Sequence, residues 1–189
     1  MKSVVCVLGS PRPNGNSETI AKKLLETAES LGASTRTFVL NNLDFKGCQA
    51  CMGCKRGAEE CVVADGLTEV LDAARDADVL VLTSPIYFGE VSGQLKCFID
   101  RTYSFLRPDY MTNPNPSRLS PGKKAVFVLT QGSPDAGSFD VFKDYSVFFK
   151  WLGYDSEVIR GVGLGAPTDA AGKPELMKQA EETAKKVMG

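Results

Sequence analysis

Four cysteines fall within fourteen residues, Cys48-x2-Cys51-x2-Cys54-x6-Cys61. Thiolates two residues apart can turn toward one centre when the loop folds around it. Such compactness suits a cubane iron–sulfur cluster, whose irons each take one thiolate. Four-cysteine zinc sites usually divide into two C-x2-C knuckles separated by a longer stretch of chain. Upstream, Gly9-Ser-Pro-Arg-Pro-Asn-Gly-Asn-Ser17 joins a β-rich run to an amphipathic one. Its small residues let backbone amides approach an anion, and a following helix N-terminus adds partial positive charge. Ser10, Asn16 and Ser17 add donors, and Arg12 offers a charged fork for phosphate oxygens. Neither G-x-x-x-x-G-K-[ST] nor G-x-G-x-x-G occurs there, so it is not an ATP or GTP loop. A third stretch, Thr83 to Gly93, contains Pro85 and Gly89 as turn residues, with Ile86, Tyr87 and Phe88 between them. That flat apolar surface suits a planar aromatic ligand; Tyr87 and Phe88 as core or interface aromatics is the alternative. Thr130 to Asp135 could close the same crevice.

Composition narrows the chemistry. The 189 residues hold no histidine, which removes Ser-His-Asp and Cys-His nucleophile systems and every imidazole metal ligand. A cofactor is therefore expected to carry the proton and electron chemistry. The formal charge of −1 gives no basic field for nucleic acid or anionic membrane. Apolar runs such as 79–82 and 125–129 are strand-sized, so no membrane span is expected. No leader is expected either, and the chain reads as cytoplasmic. Six cysteines in such a chain favour thiolate chemistry or metal ligation over a disulfide framework. Cys6, inside a strand pattern, and Cys97, on a helix pattern, read as packing residues.

The elements that must position these groups alternate. Strands are predicted at 3–8, 35–40, 78–83, 124–130 and 155–160. Helices are predicted at 17–31, 65–77 (with Asp65 as a cap), 91–103, 139–152 and 174–188. The cysteine segment, 46–64, is an irregular loop, and 107–122, with four prolines, is a surface excursion that could build a cavity over a bound ring. This order implies one α/β domain over 1–189: a flavodoxin-like, doubly wound, five-stranded parallel sheet, order 2-1-3-4-5, with helices on both faces. Such a sheet binds its ligand beyond the carboxyl ends of strands one and three.

The stretches GSPRPNGNS (9–17) and SPIYFGEVSGQLKCFIDR (84–101) resemble the two flavin loops and following helix of the NAD(P)H-dependent FMN reductases. The resemblance implies that Ser10, Arg12, Asn16 and Ser17 hold the FMN phosphate. It implies that Pro85, Ile86, Tyr87, Phe88 and Gly89 line the isoalloxazine. Asp100 and Arg101 match a family pair expected to fix the helix and subunit contacts. The cysteine arrangement is similar to that of the iron–sulfur flavoprotein branch, with Cys48, Cys51, Cys54 and Cys61 as ligands of one 4Fe–4S cluster. Related reductases carry cysteine loops without a cluster, so free thiols, a redox disulfide or zinc remain alternatives. The implied function is an FMN-dependent oxidoreductase exchanging electrons with ferredoxin-like or small-molecule partners. The alternatives are a cluster-free NAD(P)H-dependent FMN or quinone reductase, and a non-catalytic redox or metal sensor. A homodimer or homotetramer is implied, with Tyr103 and Phe105 as candidate contacts and buried packing of the two as the equal alternative.

Overall fold

The structure, a computed structural model, describes residues 1–135 and 140–189. Its strands are β1 (Ser3–Leu8), β2 (Ser34–Val39), β3 (Val79–Tyr87), β4 (Glu90–Val91), β5 (Lys123–Thr130) and β6 (Tyr154–Gly161). Its α-helices are α1 (Asn16–Ser30), α2 (Leu67–Asp76), α3 (Gly93–Arg101), α4 (Val141–Trp151) and α5 (Pro174–Met188). Five strands are parallel in the order β2-β1-β3-β5-β6. With the short antiparallel β4 set aside, this is the expected flavodoxin-like order. The helix expected from Phe139 begins at Val141, and Phe139 itself lies outside the described residues.

Alternation along each buried strand divides the core in two. Val4, Cys6 and Leu8 of β1 pack with Ile20 and Leu24 of α1 and Ala180 and Ala184 of α5. Val5 and Val7 point the other way, with Leu71 of α2, Phe98 of α3 and Phe149 of α4. Central strands apolar on both faces explain the unbroken apolar runs. Cys6 is fully buried, and burial pushes its thiol up to about 12, so it is core, as expected.

Phe105 is buried in the core, the packing alternative of the two, because a short 3-10 segment, Thr102–Phe105, turns it inward. The 107–122 excursion folds back on itself, with Arg107 N–H to Pro116 O and Arg118 N–H to Phe105 O, each 2.8 Å. It lies against the cysteine loop through Arg118 and against the end of α4 through Ser117 Oγ to Leu152 O, 2.6 Å.

Candidate functional site

β1 and β3 are adjacent and parallel, so the loops that leave them emerge together at the carboxyl edge of the sheet. Gly9 is the hinge of the first. Its N–H donates to Thr83 O at 2.9 Å, and its carbonyl accepts from Ser92 Oγ at 2.5 Å. A Cβ on Gly9 would lie 2.7 Å from both Thr83 O and Leu95 Cβ. Gly9→Ala should therefore push the loop away from β3 and α3 and destabilise the fold by about 1–3 kcal/mol, read in chemical denaturation. An unchanged midpoint would show that the close approach is not needed.

Beyond Gly9 the loop leads into an open helix end. The first backbone bond of α1 is Thr19 N–H to Gly15 O, and no side chain caps the helix. The amides of Asn16, Ser17 and Glu18 therefore precede the intrahelical ladder, as an anion site requires. Ser10 and Ser17 are buried beside this turn, and Arg12 is exposed above it. Ser10 Oγ accepts from Arg12 N–H at 3.1 Å, which sets the loop's curl. Asn16 behaves differently from Ser10 and Ser17. Its Nδ2 donates to Ala166 O at 2.8 Å and its Oδ1 accepts from Ala170 N–H at 2.9 Å. Its side chain thus ties α1 to the segment after β6, which leaves its backbone amide as the group it could offer an anion. Thr83 Oγ1, at the end of β3, is buried without a hydrogen-bond partner among the described residues.

The second loop is more ordered than its composition indicates. β3 runs on through Pro85, Ile86 and Tyr87, then reverses into β4, with Ile86 opposite Val91 and Tyr87 opposite Glu90. Phe88 and Gly89 form the two-residue turn, at φ 50° and 81°. Both positive angles match the twist of a tight hairpin. Phenylalanine in that region costs about 1–2 kcal/mol, and this Phe88 is fully exposed. Strain of this kind clusters at binding and active sites. The Thr130–Asp135 loop is tied to the loop after β6 through Gln131 N–H to Gly161 O and Gly163 N–H to Ser133 O.

The cysteine loop is held by three cations that its spacing does not reveal. Arg101 donates from Nη1 to Lys46 O and Asp65 Oδ2 (3.0 and 2.9 Å) and from Nη2 to Val63 O (2.6 Å). It thereby joins the two ends of the loop, which is its place in this chain rather than a subunit contact. Asp100 pairs with Lys96 on the exposed side of α3. Arg118 donates to the carbonyls of Cys54, Glu59 and Ser104. Lys55 Nζ donates to Tyr103 O and Leu106 O, 2.6 Å each. The sequence held only a faint signal for these roles: Lys55 lies inside the cysteine motif, but nothing about position 118 foretells a contact 64 residues away.

All four cysteines line one cavity of about 250 Å³, together with Arg101 and Tyr103. Ala50 and Met52, at φ 50° and 58°, curl the backbone on either side of Cys51. Gly53 lets Val62 close over the loop, since a Cβ there would meet Val62 Cγ2 at 2.5 Å. Burial pushes the Cys54 thiol up; Cys61 and Cys48 add to this, while Lys55 and Arg118 oppose it. Cys54 must therefore release a proton to become a ligand. Among the described residues no three His, Cys, Asp or Glu side chains converge on a single ion. A larger cavity, about 610 Å³, lies between α3 and α4 and reaches from Gly89 and Glu90 to Cys48, past Tyr103, Tyr145 and Trp151. Of the five residues expected to line a planar ring, only Gly89 borders it. None of Ser10, Arg12, Asn16 and Ser17 lines either cavity.

Residues 2–154 match the NADPH-dependent FMN reductase family. An iron–sulfur flavoprotein of Methanocaldococcus jannaschii is 35% identical over 99 residues, 52% of this chain and 51% of that protein. An FMN-dependent NADH:quinone oxidoreductase of Chromobacterium violaceum is 36% identical over 113 residues, 55% of each chain. These matches span about half the length of each curated relative. An FMN-dependent NADH-azoreductase from Bacillus anthracis, solved in complex with FMN, aligns over 100% of both chains with a TM-score of 0.75 and 18% identity, a likeness of fold.

Proposed function

Because the chain belongs to the NADPH-dependent FMN reductase family, we propose that it is an FMN-dependent oxidoreductase carrying one 4Fe–4S cluster in the loop of Cys48, Cys51, Cys54 and Cys61. Bound FMN would supply hydride and single-electron chemistry, and the cluster would supply single-electron exchange. The residues present fit both groups. For the flavin phosphate the donors are the amides of Asn16, Ser17 and Glu18, the hydroxyls of Ser10 and Ser17, and Arg12. For the ring, the apolar edge is Pro85 to Gly89. For the cluster, the four thiols share one cavity with Arg101, while Lys55 and Arg118 hold the surrounding chain through backbone carbonyls.

The observation that carries the flavin reading is the uncapped N-terminus of α1 and the strained Phe88–Gly89 turn, both following adjacent parallel strands at their carboxyl edge. The cysteine-lined cavity favours the iron–sulfur branch over a cluster-free NAD(P)H-dependent FMN or quinone reductase, and over a redox or metal sensor. NAD(P)H is the proposed reductant, and a ferredoxin-like protein or a small molecule the proposed electron partner. Self-association is proposed through α4, where Val147, Phe148 and Trp151 are exposed; sedimentation that gives a monomer would refute it.

The test is an anaerobic preparation read by visible spectrum, iron and acid-labile sulfide. About four of each per chain, beneath flavin bands, is expected. Flavin without iron would leave the cluster-free reductase, and failure to bind added FMN would overturn the flavin reading. Fluorescence titration gives two sharper outcomes. Arg12→Ala should weaken FMN by about 10- to 100-fold, the value of one charged hydrogen bond. Riboflavin, lacking the phosphate, should bind wild type and variant alike. Phe88→Gly should raise stability by about 1–2 kcal/mol by relieving the left-handed phenylalanine, while weakening FMN. Tighter FMN binding by that variant would remove Phe88 from the ring site.

A further inference from the structure

Arg101 is 1% exposed, and its five donors are unevenly used. Both terminal nitrogens are engaged with Lys46 O, Val63 O and Asp65 Oδ2. The remaining Nε–H is buried with no hydrogen-bond partner among the described residues. Arg101 and Cys61 line the same cavity. A buried N–H is costly without an acceptor, and a thiolate is an acceptor of the complementary charge. Arg101 Nη2 donates to Val63 O, two residues after Cys61, so the guanidinium lies against the Cys61 end of the loop, and a guanidinium stays charged in proteins.

We infer that Arg101 Nε–H donates to the Cys61 sulfur when that thiolate is a cluster ligand, and that this bond raises the reduction potential of the cluster. The inference rests on the iron–sulfur reading above. One-electron reduction, with the electron supplied by dithionite in a titration, adds negative charge at the sulfurs. A hydrogen bond to one of them favours the reduced form, as hydrogen bonding and burial do at iron–sulfur centres generally. No bond is broken and no proton leaves Arg101. Arg118 supplies the contrast, because it clamps the loop through the carbonyl oxygens of Cys54, Glu59 and Ser104.

Potentiometric titration followed by electron paramagnetic resonance would compare wild type, Arg101→Lys and Arg118→Lys. Each variant keeps its cation but loses the guanidinium fork. The midpoint potential should fall in Arg101→Lys and stay at the wild-type value in Arg118→Lys. An unchanged potential in Arg101→Lys, or an equal fall in both, would overturn the inference, the latter by showing that loop slackness is the cause. Should Arg101→Lys fail to fold or retain iron, unsubstituted protein labelled with 15N at arginine Nε decides. Pulsed resonance of its reduced cluster should show a 15N coupling that persists in Arg118→Lys, and its absence would overturn the inference. Iron and sulfide analysis of wild type comes first. If neither is present, the cluster reading fails and takes this inference with it, whereas failure of the inference alone leaves four irons in place.

Discussion

Asp65→Ala is expected to lower the free energy of unfolding by about 3–5 kcal/mol, the usual cost of stripping one partner from a buried ion pair. Asp65 Oδ2 accepts from Arg101 Nη1 at 2.9 Å and from Lys46 N–H at 3.0 Å; Oδ1 accepts from Leu67 N–H at 2.9 Å, at the start of α2. Its removal leaves the Arg101 charge inside the protein without a counter-ion and releases both the cysteine loop and the first turn of α2. Asp65→Asn keeps an acceptor oxygen and should cost less. Denaturant titration of both variants checks the order, and a loss under about 1 kcal/mol for Asp65→Ala would assign the pair to the weak surface class.

The same carboxylate sets an acid limit. Burial pushes Asp65 up, but the Arg101 guanidinium and the amides of Lys46 and Leu67 outweigh it and hold its carboxyl below the ordinary value of 3.8. A depressed folded-state pKa contributes stability that is present above the unfolded-state value and is lost as pH falls through the folded-state one. Acid unfolding of wild type should therefore show a component below pH 3.8 that Asp65→Asn lacks.

The double variant Cys51→Ala/Cys54→Ala is expected to lose iron completely, from about four atoms per chain, while binding FMN as wild type does. The two properties separate because the cysteines lie between β2 and α2, whereas the proposed phosphate donors lie in the loop after β1 and the first turn of α1. Cys97→Ala is the control: Cys97 sits on α3 with its sulfur toward Gly47, lines neither cavity, and its loss should leave iron unchanged. Iron retained in the double variant would exclude the cysteine loop as its site. One zinc per wild-type chain in place of iron would turn the loop into a structural metal site.

The sequence by itself determined the alternation of strands and helices, hence the sheet order and the carboxyl edge at which sheets of this kind bind ligands. Apolar periodicity is local, and right-handed crossovers leave few ways to assemble such a series. It also determined the thiol set at 48, 51, 54 and 61, because their closeness along the chain limits their separation in space. Only the tertiary structure decided which groups are already occupied. Asn16 reads as a phosphate donor, yet its side chain is held by Ala166 and Ala170, about 150 residues away along the chain. Arg101 reads as part of a helix and proves to be the buried clamp of the cysteine loop, and Arg118 reaches the same loop from a proline-rich stretch with no periodic signal. The Phe88–Gly89 turn likewise depends on β4 pairing back onto β3. Hydrogen-bond partners distant in sequence leave no local pattern, since a donor's residue type states what it can bind but not which acceptor the fold will bring to it.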